Sequence, residues 1–204
     1  MSRGQADVIA TVILVSFAVV ISSAVVVYMM SMANTALRAP PPVLSYVETH
    51  IKMIVLAGYP TVGGYAIDLA LVPVFGSQPV YVCLVPISIV NGTYSAVNPT
   101  ALLFVGTGAL QAQQPLATQQ FDASKMILPA ISGNTGYTTA KIQFKLGTVY
   151  GVCLNMSRSS VFIELVVPQQ TYSYKLRIYL CAFASTGWGV IYAAQYADVT
   201  VPPS

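Results

Sequence analysis

Residues 8–42 read VIATVILVSFAVVISSAVVVYMMSMANTALRAPPP, and the fold class turns on that stretch. Positions 8–37, 30 in all, hold no charged residue, while Arg3 and Asp7 precede them and Arg38 follows. As a helix the run would extend about 45 Å, longer than the roughly 30 Å hydrocarbon core of a bilayer. It contains neither proline nor glycine. Val12, Ile13, Val15, Val19, Val20 and Val25 are β-branched and weaken a helix in water. In an apolar setting the backbone has no water to turn to, and helix is the satisfied conformation. Because the run is apolar on every side, the expectation is a helix buried all round. Ala10, Ser16, Ala18 and Ser23 are small enough for close helix–helix approach.

Arg38-Ala39-Pro40-Pro41-Pro42 ends it. Residues before proline are pushed out of the α region, and a triple proline is a stiff spacer. Beyond it the apolar period becomes two. In residues 47–53, Glu48, His50 and Lys52 alternate with an apolar set, as in a half-buried strand. Further strands are expected at 65–74, 80–90, 101–105, 137–146, 148–154, 161–167, 172–184 and 189–201, bounded by turn pairs such as Gly63-Gly64, Asn91-Gly92 and Gly133-Asn134. The Gln- and Ala-rich segment 109–124 is expected as a long loop carrying at most one helical turn. Eight or nine short strands at this spacing predict an antiparallel sandwich or barrel, and an immunoglobulin-like sandwich is the expected head. The expected class is therefore α+β: a long N-terminal hydrophobic helix over 5–38, a proline linker at 39–42 and an all-β head at 43–204.

Hydrophobic residues make up 55% of the 204 and charged ones 7%, against roughly 25% charged in ordinary soluble domains. The head carries 12 charged residues in 162. A surface so poor in charge invites precipitation unless membrane, partner subunits or covalent sugar cover it. The net charge of +3, with scattered basic residues, excludes a nucleic-acid partner.

Enzyme chemistry is sparse. The single histidine, His50, sits in the alternating strand, and no ligand spacing suits a metal. No G-x-S-x-G, GxGxxG or P-loop occurs. The head's acids, Glu48, Asp68, Asp122, Glu164 and Asp198, show no spacing that marks a carboxylate pair. The expectation is a protein without catalytic residues, metal or cofactor. Cys83, Cys153 and Cys181 each lie in an apolar strand-like run, and either three buried thiols or one disulfide with a free thiol fits them. Asn91-Gly92-Thr93 and Asn155-Met156-Ser157 are glycosylation sequons, whereas Asn98-Pro99-Thr100 is excluded by its proline. The 13 tyrosines, among them Tyr172, Tyr174, Tyr179, Tyr192 and Tyr196, suit both interfaces and a sandwich core.

The first residues, Met1-Ser2-Arg3-Gly4-Gln5-Ala6-Asp7, resemble the class III signal peptide of archaeal type IV pilins and archaellins, a short polar leader ending in Lys/Arg then Gly/Ala. The resemblance implies a leader at 1–4, with Arg3 and Gly4 as its last positions and Gln5 as the first mature residue, cut by a prepilin peptidase. It further implies that the segment first sits in the membrane and then packs as a filament core, through Val8, Val12, Val15, Val19, Ser22, Val26 and Met30. Asp7 would offset the new Gln5 amine at the helix N-terminus. Bacterial pilins carry a glutamate where this chain has Ile9, and a mid-helix proline that is absent here, so the likeness is to the archaeal branch. The function implied is an adhesive filament, a homopolymer of this subunit on the cell surface, with glycans at the sequons. The competing expectations are a monomeric membrane-anchored β-domain, an archaellin, or a secreted β-sandwich hydrolase. The last would need an ordinary signal peptide, whose apolar core of about 7–15 residues is half the length of this run.

Overall fold

The computed structural model describes residue 21 and residues 50–74, 80–105, 112–129, 137–156, 159–183 and 189–204. The chain divides into two units, Met1–Pro40 and Pro41–Ser204. Its strands are β1 (Ile51–Thr61), β2 (Gly64–Pro73), β3 (Val80–Val90), β4 (Thr93–Ala96), β5 (Thr100–Val105), β6 (Ala112–Leu116) and β7 (Thr118–Asp122). They continue with β8 (Met126–Pro129), β9 (Tyr137–Thr139), β10 (Thr148–Met156), β11 (Val161–Val167), β12 (Tyr174–Phe183) and β13 (Ile191–Val201). One short helix, α1 (Ala140–Phe144), follows β9.

Two sheets form. The smaller runs β1-β2-β11-β5-β6, and the larger runs β7-β10-β3-β12-β13-β8-β9 with β4 alongside β3. Pairing is antiparallel except between β13 and β8. Alternation directs Ile67, Leu69 and Leu71 of β2 and Ile163 and Leu165 of β11 inward, where they meet Leu84, Leu154, Leu176 and Ile178 of the larger sheet. Burying each such side chain stabilises the fold by about 1.5–3 kcal/mol. The larger sheet is covered on its other face too. There Cys83, Val85, Ile87, Tyr179 and Cys181 lie under Met126, Leu128, Ala140, Phe144 and Leu146. Burial on both faces explains why β3 reads VYVCLVPISIV, a continuous apolar run rather than an alternation.

Local chemistry fixes the connections. Asn91 (φ 48°) and Gly92 (φ 76°) make the paired left-handed turn that joins β3 to β4 without splaying them. Gly64 has φ 142°, and a Cβ there would run into the Val167 carbonyl oxygen. Thr139 caps α1 by accepting a hydrogen bond from the Ile142 backbone N–H at 3.4 Å, and Lys145 ends it in the left-handed conformation (φ 57°). Gln195 stitches the two sheets: its Nε2 donates to the Ile51 carbonyl, and its Oε1 accepts from the Met53 N–H. Tyr174 pins the β11–β12 corner by donating to the Pro168 carbonyl at 2.6 Å.

The α+β expectation is corrected. The described residues are 73% strand and 8% helical, and none of their helices is long and apolar enough to cross a membrane, which overturns a class built on a transmembrane or pilin-type N-terminal helix. The uncharged run outweighed the strand segments that recur from residue 51 to residue 201. Such a run favours helix only where lipid or neighbouring copies deny its backbone water. The leader at 1–4, the cleavage residues Arg3, Gly4 and Gln5, Asp7, the core set from Val8 to Met30 and the linker at 39–42 lie outside the described residues. Ile21 alone of that part is described, helical and exposed. The immunoglobulin-like head is replaced by a sandwich of unequal sheets whose larger member is clad on both faces.

Three segments also depart from expectation. The Gln-rich loop contains β6 and β7, each an edge strand; Pro115 is tolerated in β6 because an edge needs fewer ladder hydrogen bonds. The expected strand at 137–146 splits into β9 and α1, because Thr139 supplies a cap. His50 precedes β1 rather than lying within it.

Candidate functional site

The smaller sheet turns one face to the core and leaves the other uncovered among the described residues. Its register sorts that outer face into rows. Ile54 stands opposite Ala70, Ala70 opposite Phe162, and Phe162 opposite Phe104. The next row runs Ala57, Asp68, Glu164, Leu102. Ile54, Leu56, Tyr59 and Phe162 are large, apolar or aromatic, and exposed. A register shift between Val55 and Ala57 bulges Leu56 outward, a common device for re-aiming a side chain. Leu56, Tyr59, Asp68, Phe104 and Phe162 line an open hollow of about 280 Å³.

Asp68 and Glu164 face each other on neighbouring strands, and like charges directly opposite are destabilising. Tyr59 answers part of this. Its Oη donates to Glu164 Oε2 at 2.6 Å and lies 3.4 Å from Asp68 Oδ1. That hydrogen bond, with burial and the two carboxylates, pushes the tyrosine pKa up to about 12. Partial burial and the Glu164 charge raise the Asp68 carboxyl above its ordinary value. A single phenol proton serves two carboxylates on an apolar sheet face, and the arrangement is short of positive charge.

On β12 and β13 of the larger sheet the balance is reversed and satisfied. Arg177 Nε donates to Asp198 Oδ1 at 2.7 Å and Nη2 to Oδ2 at 2.9 Å, while Lys175 reaches Oδ2 at 2.7 Å. The Arg177 guanidinium also lies 4.3 Å from the Tyr196 ring centre, a cation–π contact. This fork holds the Asp198 carboxyl below its usual range.

Of the residues singled out from sequence, Cys83 and Cys153 form a disulfide between β3 and β10. Cys181 is a free, fully buried thiol, its pKa pushed up by burial. It stands opposite Cys83 on the other neighbouring strand, so the three cysteines occupy one cross-strand row. Asn91 is exposed at the hairpin tip and Asn155 is exposed on β10, whereas Ser157 of the second sequon lies outside the described residues. Tyr174 is buried, and Tyr172 lies outside β12 and is exposed. No group of three or more His, Cys, Asp or Glu that could hold a metal occurs among the described residues. Sequence reading missed the Asp68–Glu164 pair. Both fall at outward positions of expected strands, but nothing in the sequence says that those strands are neighbours.

No protein-family model and no curated protein matches the chain. Among solved structures it is similar, at 9% identity and a TM-score of 0.34, to a chain described as "Complete structure of manganese lipoxygenase of Gaeumannomyces graminis and partial structure of zonadhesin of Komagataella pastoris". The similarity covers 76% of this chain and 46% of that one. At that score it carries no argument about fold or activity.

Proposed function

We propose that the protein is the structural subunit of an extracellular adhesive filament, polymerised from identical copies with the β head displayed outward. The observation that carries this is the outer face of the smaller sheet. Ile54, Leu56 and Phe162 stand exposed there, in a chain with 7% charged residues. A head that left this face in water would be prone to aggregate, whereas neighbouring heads remove it from solvent. The Cys83–Cys153 bridge agrees with an oxidising location outside the cytoplasm. Exposed Asn91 is a place where sugar would supply the polar surface that the composition lacks. The uncharged run at 8–37 is the segment that gathers copies together, and cleavage between Gly4 and Gln5 is what releases it for assembly.

Electron microscopy of material sheared from the cell surface, with N-terminal sequencing of its subunit, tests this. Filaments whose subunit begins at Gln5 are expected. Recovery of the protein only as a detergent-soluble monomer would leave a tethered surface domain in its place.

A further inference from the structure

We infer that the outer face of the smaller sheet is a docking site for a second copy of this chain, which seats its α1 helix there. Ile142 enters the hollow, and Lys141 and Lys145 meet Asp68 and Glu164. This deepens the self-assembly reading and rests on it.

The donor side is built by the helix itself. Ala140 and Phe144 are the buried residues of α1, four apart and therefore on one side. Phe144 is held there by stacking on Tyr94, with ring centres 4.1 Å apart. Ile142 is consequently turned outward and is 73% exposed, an apolar knob with an exposed lysine on either side at 141 and 145. Neither lysine closes an ion pair among the described residues. Asp122, whose carboxyl feels the Lys141 charge, already accepts a hydrogen bond from the Ser124 N–H at 2.8 Å. The basic pair on β12 is already engaged, because Lys175 and Arg177 share Asp198.

The acceptor side has the opposite character. Asp68 lines an apolar hollow, Glu164 stands opposite it on the next strand and one phenol bonds to both, so a cationic, apolar-tipped partner matches the face in charge and in shape. The two sides lie on opposite faces of the head. The smaller sheet packs on one face of the larger, and α1 covers the other. A contact between different patches of identical subunits is heterologous, and unless its rotation closes a ring it propagates as an open chain. A two-fold pairing of the acidic faces would instead set carboxylates against carboxylates. Geometry and charge thus select head-to-tail stacking.

Engineered cysteines in the full-length chain test the contact. Ile142→Cys combined with Phe162→Cys, oxidised in purified material, should give a ladder of dimers, trimers and longer species that reductant collapses. Native Cys181 is buried and does not contribute. Reversing one side's charge, with Asp68→Lys and Glu164→Lys or with Lys141→Glu and Lys145→Glu, should cut the yield about tenfold, since opposite charges become like ones. Combining both reversals should restore the ladder, which excludes a folding failure as the cause. A ladder absent from material that microscopy shows as filaments, a ladder indifferent to the four charges, or dimers from Phe162→Cys alone would overturn the docking. A ladder in material that forms no filaments would uphold the docking and overturn the filament.

Discussion

At the scale of single residues, the Asp68–Glu164 pair is the place where the head gives up stability. The two side chains are cross-strand partners, and the raised Asp68 pKa means that the folded head binds that proton more tightly than the unfolded chain does. The ionised carboxylate therefore opposes folding at neutral pH, and the penalty is relieved as pH falls through the raised value. Asp68→Asn should raise the melting temperature at pH 7, worth about 0.5 kcal/mol on the scale of cross-strand pairs. The gain should vanish below the ordinary aspartate pKa of 3.8. Thermal melts of both proteins across pH 3–8 check the sign. A mutant less stable than the wild type at pH 7 would mean that Asp68 has a compensating partner. Asp198 behaves oppositely: Arg177 depresses its folded-state pKa, so its contribution is present at neutral pH and is lost only as pH drops through that lower value.

At the scale of elements, sequence periodicity located strands far better than it paired them. The strands expected at 80–90 and 161–167 coincide with β3 and β11, and β2 lies one residue from its expected place. Asn91-Gly92 declares its hairpin, because few other dipeptides accept two left-handed residues. Strand neighbours distant in sequence were not legible, since alternation fixes a face and not a partner. Asp68 with Glu164, and Cys83 with Cys153 rather than Cys181, are both consequences of neighbours. Polar edge strands such as β6 and β7 lack an apolar run to announce them. The cysteine row yields a prediction at this scale. Replacing Cys83 and Cys153 by alanine opens a sequence separation of 70 and should cost about 4 kcal/mol in the chain-entropy model, read from urea unfolding midpoints. Cys153→Ala alone leaves Cys83 opposite Cys181. Non-reducing peptide mapping of that variant should find a Cys83–Cys181 bridge, and a variant left with two free thiols would show that the register does not bring them within bonding reach.

At the scale of the whole molecule, assembly and folding draw on different charges and should part company in acid. In the proposed docking the Asp68–Glu164 face accepts the next copy's lysines, and Asp68 is the carboxyl whose pKa is raised. The groups that face it are Glu164 on β11 and Tyr59 on β1, and the tyrosine, up near 12, stays protonated throughout. The head's own ion pair uses Asp198, whose pKa is lowered by the Arg177 fork. As pH falls, the face between copies therefore loses charge first, while the pair within the head is still ionised. A contact that depends on the acid face weakens at a pH where the sandwich, held by its two apolar cores and the disulfide, is intact. Light scattering and near-UV circular dichroism on one titration should show particle size falling at a higher pH than tertiary signal is lost. Asp68→Asn together with Glu164→Gln should shorten assemblies at neutral pH and flatten the acid step in size, leaving the unfolding transition governed by Asp198. Coincident loss of size and tertiary signal in the wild type would mean that copies are held only by the folded state as a whole, with no separate part for the acidic face.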